Sequence, residues 1–153
     1  MESSKEANKI LVDADSCPVR EIITATARKY GIRVILFVDT SHILEDDYAE
    51  VAVIGKGRDA VDFALANSTR QGDIVVTQDY GLAAMVCAKG ARAIHPGGLI
   101  YTQDVLDRLL FERHLSAKIR RSGGRVSGPR RQSHADRARF EAALDRLCRE
   151  MAY

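Results

Sequence analysis

The 153-residue sequence predicts a three-layer α/β domain with a mainly parallel five-stranded sheet and a C-terminal helical extension. Three observations carry that expectation. Short aliphatic runs, "KILVDA", "IRVILFVD", "EVAVIG", "DIVVTQD" and "ARAI", recur before Gly97. They are continuous and do not alternate with polar residues, which is the pattern of strands buried on both faces. Segments with helical spacing and helix start and stop signals separate most of them, and that alternation is the signature of βαβ units.

Taken in order, the first strand runs from Lys9 to Ala14. A helix follows, with Asp15 or Ser16 available as a cap, Pro18 suited to the first turn, a stripe at Val19, Ile22, Ile23, Ala27 and Tyr30, and Gly31 as its stop. Residues 32–39 form a second strand ending on Asp39, and residues 50–55 a third. The stretch "KGRDAVDFALANS" gives a loop and a helix from about Asp59. Residues 73–79 form the fourth strand, ending on Asp79, and "YGLAAMVCAKG" the helix after it, stopped by Gly90. "ARAIHPGG" supplies a fifth strand and a tight turn, in which Pro and two glycines explain His95 better than a catalytic role does. Two helices close the pattern, from about Asp104 to Ile119 and from His134 to Met151. The second starts behind a capping box of Ser133 and Asp136 and carries an apolar seam of Phe140, Leu144, Leu147 and Met151 that must dock on something. Between them, "RRSGGRVSGPRRQ" reads as a mobile loop.

The chain length fits one core burying roughly two thirds of the unfolded surface. No apolar run approaches the roughly 20 residues that cross a bilayer, and nothing before Lys9 resembles a secretory leader, so a cytoplasmic protein with no membrane partner is expected. Cys17, Cys87 and Cys148 are far apart and in no metal-ligand spacing, which argues against a disulfide framework or a zinc site. Cys17 alone stands where a helix N-terminus lowers a thiol pKa, with carboxylates opposing that effect. The net charge of +2 hides an asymmetry: residues 1–112 hold 12 Lys/Arg against 17 Asp/Glu, and residues 113–153 hold 11 against 4. The division expected is therefore a flexible tail (1–8), an acidic α/β domain (9–112) and a basic helical extension packed on it (113–153).

Ligands of open α/β sheets sit beyond the carboxyl ends of the strands, where strand order reverses. With the first and fourth strands as neighbours there, Asp13 and Asp15 face Asp79, and Asp59 and Asp62 lean in after the third strand. Converging carboxylates repel unless a cation neutralises them, and hard oxygen donors in an incomplete cage suit Mg²⁺ or Mn²⁺. A metal so held can activate water and stabilise charge on a phosphodiester. Each acid also has a plainer reading: Asp15 and Asp79 as caps, Asp59 and Asp62 as first-turn acids favoured by the helix macrodipole. Asp39 and Asp73 belong with that plainer reading, Asp73 because it begins its strand and so lies at the opposite edge of the sheet.

The motifs "VDADSCPV", "GKGRDAVDFAL", "GDIVVTQDYGLAA", "RAIHPGGLIYT" and "GPRRQSHADRARFEAALDRL" resemble the YaiI/YqxD-type family of bacterial proteins over nearly the whole chain. That family is regarded as PIN-like, close to NYN-type nucleases. The resemblance implies a PIN-like fold and a metal held by Asp13, Asp59 and Asp79, with Asp59 in a "KGxD" pattern and Asp79 in a "TxD" pattern. Asp15 and Asp62 are then auxiliary ligands or general bases. The further acid that PIN domains carry after "TxD" is missing here, where the stretch is "YGLAAM".

The expected activity is divalent-metal-dependent phosphodiester hydrolysis, with nucleic acid, RNA foremost, as the partner. Arg113, Lys118, Arg120, Arg121, Arg125, Arg130 and Arg131 are the candidate phosphate contacts, and scarce aromatics around them favour backbone over base recognition. A non-catalytic RNA-binding module is the first alternative. A haloacid-dehalogenase-like phosphatase is the second: "ILVDADSCPV" offers its DxD, but no lysine is placed to hold the phosphoryl group.

Overall fold

A computed structural model describes residues 7–15, 17–124 and 132–152. Its elements run β1 (Ile10–Asp13), α1 (Arg20–Tyr30), β2 (Val34–Asp39), β3 (Glu50–Ile54), α2 (Arg58–Ser68), β4 (Ile74–Val76), α3 (Tyr80–Ala88), β5 (Arg92–Ile94), β6 (Ile100–Tyr101), α4 (Gln103–Arg121) and α5 (His134–Ala152). The sheet has six strands in the order β3-β2-β1-β4-β5-β6. All neighbours are parallel except β5 and β6, which are antiparallel, so the sheet is mixed and has one strand more than the five expected. The extra strand is two residues long, too short for any periodicity to announce it. It arises because the turn His95–Gly98, with Pro second and Gly last, closes on a Gly98 N–H to His95 carbonyl bond of 2.8 Å and folds Ile100 back onto Ile94.

Strand side chains alternate between two apolar faces. Ile10, Val12, Leu36 and Ile74 pack with Val19, Ile23 and Ala27 beside α1 and with Phe140, Leu144, Leu147 and Cys148 of α5. Leu11, Phe37, Val75 and Ala93 meet Val61 and Leu65 of α2, Leu82, Ala83 and Val86 of α3, and Leu106 of α4. These are the three layers. The seam of α5 docks on α1 and the sheet, with Phe140 and Leu144 fully buried. Its start is a reciprocal capping box: Asp136 N–H donates to Ser133 Oγ at 3.1 Å and Ser133 N–H to Asp136 Oδ2 at 3.0 Å.

Helix α1 departs from expectation. It begins at Arg20 behind Val19, with no side-chain cap, so Asp15 is not its cap, and Ser16 lies outside the described residues. The chain turns through Pro18 and Val19 first and sinks Val19 into the core. Cys17 is therefore not at a helix N-terminus, and burial pushes its thiol up to about 11, the opposite of the lowering that position would give. At the other end Gly31 adopts φ 68° in the left-handed region and closes the helix as expected.

The amino edge of the sheet is held by Asp73, 1% exposed. Its carboxylate accepts from Lys9 Nζ (3.0 Å), Lys9 N–H (3.0 Å), Asn8 Nδ2 (2.9 Å) and Arg70 N–H (2.8 Å). Burial raises its pKa, but these donors outweigh that and hold it below the ordinary carboxylate value. Gly98 makes the second close contact. At φ 99°, a Cβ there would stand 2.8 Å from the Arg139 carbonyl carbon and 2.9 Å from Phe140 N, whereas a Cβ on Gly31 meets nothing within 4 Å.

These features set the expected stability of three variants. Asp73→Ala, which strands the buried Lys9 ammonium, should cost about 3–5 kcal/mol in urea unfolding. Because the folded pKa lies below the unfolded one, wild type should keep the Asp73 contribution above the ordinary value of 3.8 and lose it as pH falls through the lower folded value. Gly31→Ala should cost about 1–2 kcal/mol from the left-handed backbone alone. Gly98→Ala should cost more and lower the melting temperature further, since it also displaces α5.

Candidate functional site

The strand order reverses between β1 and β4: β1 continues through α1 to β2 on one side, and β3 crosses through α2 to β4 on the other. Asp13 ends β1 at that point and is 7% exposed. Its Oδ2 accepts from Thr77 Oγ1 at 3.0 Å, and Thr77 Oγ1 accepts from Asp79 N–H at 3.0 Å, so one buried hydroxyl ties the end of β1 to the end of β4. Asp79 is the N-cap of α3, its Oδ1 accepting from Gly81 N–H (2.8 Å) and Leu82 N–H (3.2 Å). The plain reading of Asp79 is thus correct, and the capping bonds hold its carboxylate at the same rim as Asp13.

Asp15 turns the other way, toward β2. Its carboxylate accepts from Asp39 N–H at 3.3 Å and stands 2.9 Å from His42 Nδ1. Asp39 Oδ1 in turn accepts from Ser41 N–H at 2.8 Å and lies 3.1 Å from the same imidazole nitrogen. The Ser41 bonds, ahead of the His42 contact, lower the Asp39 pKa to about 2. Asp15, Asp39 and His42 each offer a ligand atom within 4.8 Å of the others, and among the described residues no other trio of acid, histidine or cysteine groups does so. Asp13, Asp59 and Asp79 are therefore not gathered as closely as the resemblance implies. Asp59 is exposed in the first turn of α2, and Asp62 is half-buried one turn further on.

The sequence pattern assigns Asp39 to a plain local role and gives no signal for His42. The signal was in the pairing: Asp13 sits opposite Phe37 in the parallel register, so two residues further along each strand Asp15 comes level with Asp39. Asp39 does cap its own turn through Ser41, which is why the local reading sufficed until the strands were paired.

The basic residues divide. Arg113 lies with its guanidinium 5.4 Å from the centre of the Tyr80 ring, next to the Asp79 cap. Lys118, Arg120 and Arg121 are exposed in the last turn of α4, where the helix macrodipole also favours them. Arg125, Arg130 and Arg131 lie outside the described residues. No helix among the described residues is long and apolar enough to cross a membrane.

Comparison with known sequences bears on the whole of this framework. A family model described as "Uncharacterized BCR, YaiI/YqxD family" matches residues 11–150. The chain belongs to the YaiI/YqxD family. Among its relatives, a UPF0178 protein of Ruminiclostridium cellulolyticum is 56% identical over 136 residues, covering 89% of each chain. A UPF0178 protein of Clostridium acetobutylicum is 51% identical over 141 residues, 91% of this chain and 95% of the relative. One from Lachnoclostridium phytofermentans is 46% identical over 147 residues, 94% and 99%. No solved structure matches. The YaiI/YqxD match takes in the rim acids, α4 and α5 together, so the helices after β6 are part of the family unit.

The hydrogen bonds to Asp39 stabilise its ionised form, so they persist down to its lowered pKa and are lost below it. Carboxyl NMR should place the Asp39 midpoint near 2. In Ser41→Ala that midpoint should move up toward the ordinary value of 3.8, with His42→Ala moving it less.

Proposed function

We propose that the chain is a divalent-metal-dependent nuclease acting on RNA. The observation that carries this reading is the run of acidic groups from Asp39 through Asp15 and Asp13 to Asp79 along the carboxyl edge of β2, β1 and β4, at the point where strand order reverses. The PIN-like relationship implied by the sequence agrees with this position. The donors fit a hard divalent cation, Mg²⁺ or Mn²⁺: carboxylate oxygens, plus one imidazole nitrogen in the closest trio. Asp15, Asp39 and His42 would hold it, with Asp13 and Asp79 completing the rim beside them; Asp59 and Asp62, expected from the resemblance, stand further off on α2. A cation there supplies water activation and charge stabilisation at a phosphodiester. Thr77 fixes the rotamer of Asp13, the cap bonds fix that of Asp79, and Asp15 beside His42 is placed to accept a proton. Arg113 flanks the rim, and the cations of α4 would continue the phosphate path.

A non-cutting RNA-binding module is the competing reading. It is favoured by the commitment of Asp79 Oδ1 to the α3 cap and by the absence of an acid in the turn that follows.

Single-stranded RNA incubated with the protein and Mn²⁺ should be cleaved. Asp79→Asn should lose cleavage and keep its melting temperature, because asparagine caps a helix as well as aspartate does. RNA retention without cleavage by wild type would establish the binding module, and full cleavage by both Asp79→Asn and Asp13→Asn would remove these residues from the site. RNA binding should weaken steeply with salt.

A further inference from the structure

Helix α4 runs off the body of the molecule. Val105, Leu106 and Leu109 pack it on the core beside α3, and beyond Leu109 none of its residues joins either core. The outer turns nevertheless carry an apolar stripe: Phe111, 65% exposed, then Leu115 and Ile119 at successive turns, both also exposed. A short helical stretch is marginal in water unless its apolar face is covered, and the described residues of this chain leave this one open. We infer that the stripe is the contact between two copies of this chain, whose α4 helices pair antiparallel about a two-fold axis at residues 112 and 113. The inference stands apart from the nuclease reading.

The charge pattern along α4 identifies the occupant. Acids precede the stripe, at Asp104 and Asp107, and cations follow it, at Lys118 and Arg121, all of them exposed. In an isologous contact, whatever residue meets a given side chain in the second copy is met by it in return, so touching pairs share one midpoint along the helix. Phe111 and Leu115 are centred on residue 113. Asp107 with Lys118, and Asp104 with Arg121, are centred between residues 112 and 113. A single axis therefore seats each Phe111 on Leu115 of the second copy and sets each Asp107 opposite Lys118 of the second copy.

The flanks agree with that register. Asp107 and Lys118 stand on the same side of Phe111, one turn before it and two turns after it. A two-fold axis between antiparallel helices keeps each flank against the same flank of the other copy, so these two charges meet. Asp107 Oδ1 accepts from Gln103 Nε2 at 2.9 Å, which holds the carboxylate in place on the helix surface. Arg108 lies on the opposite flank, 3.9 Å from Glu112 of its own helix, and does not confront Lys118 of the second copy. Parallel pairing would instead stack like charges on like and align the two macrodipoles. A polyanion fits the stripe less well, because Asp104 and Asp107 would repel it along the first half of the helix. Arg113, over Tyr80, and Arg120, two turns on along the same side, face away from the stripe and stay with the phosphate path.

One helix pair is a small interface, which places the dimer in the concentration-dependent class. Sedimentation equilibrium of the full chain from about 1 μM to about 1 mM should show monomer passing to dimer, with less dimer as salt rises. Phe111→Glu should raise the dissociation constant at least about tenfold, and its melting temperature should match that of wild type at a concentration where both are monomeric. Asp107→Lys and Lys118→Glu should each weaken the dimer by about tenfold, since each substitution enters twice. The double variant Asp107→Lys, Lys118→Glu should recover the wild-type dissociation constant to within about threefold, a readout that does not depend on how Phe111→Glu folds. A wild type that stays monomeric throughout gives the stripe to a different partner and overturns the proposal. A dimer indifferent to Phe111→Glu and to both charge reversals also overturns it, and a double variant that fails to recover overturns the antiparallel register.

Discussion

The burial of β1 on every side governs this molecule. Its four residues lie between β2 and β4 within the sheet and between two helical layers across it, so none of them reaches water through a face. A strand in that position can place polar groups only at its two ends, and both ends are used. At the amino end, Lys9 and its backbone N–H complete the shell of the Asp73 carboxylate. At the carboxyl end, Asp13 is held by a hydroxyl from β4. A buried ion pair adds little net stability over an apolar pair, yet its geometry is exacting, and it fixes the register of β1 against β4 from which the opposite rim is built.

That register is what brings scattered acids to one rim. Asp39, Asp15, Asp13 and Asp79 come from three strands, and parallel pairing brings their ends to one edge while the crossover of α2 divides the helices above and below it. Next to the Asp79 cap, Arg113 stands over the Tyr80 ring.

Most of the framework could be read from the chain because its strands are continuous apolar runs with clear helix stops between them, and a strand buried on both faces has no other way to be written. The α5 seam and the Ser133–Asp136 box were legible for the same reason, each being a short-range pattern with one structural meaning. The rim was legible only in part. Asp13 and Asp79 end strands and announce themselves, while Asp39 and His42 gain their significance from pairing with Asp15 across the sheet, which no local pattern encodes. Asp15 misled as a helix cap because Pro18 and Val19 form a turn before α1 begins. Strand β6 escaped notice because two residues cannot show a period.

The contact of Gly98 with the backbone of Arg139 and Phe140 has a consequence for how the chain comes to be folded. The helix that roofs the α1 face also walls a cavity beside Pro18 and His95, and it stands more than a hundred residues away from α1 along the chain. During translation the growing polypeptide can pair its strands and cover its other face early, but one greasy flank stays open until residues 140–148 have emerged. Completion of the interior and closure of that cavity are therefore a single late event.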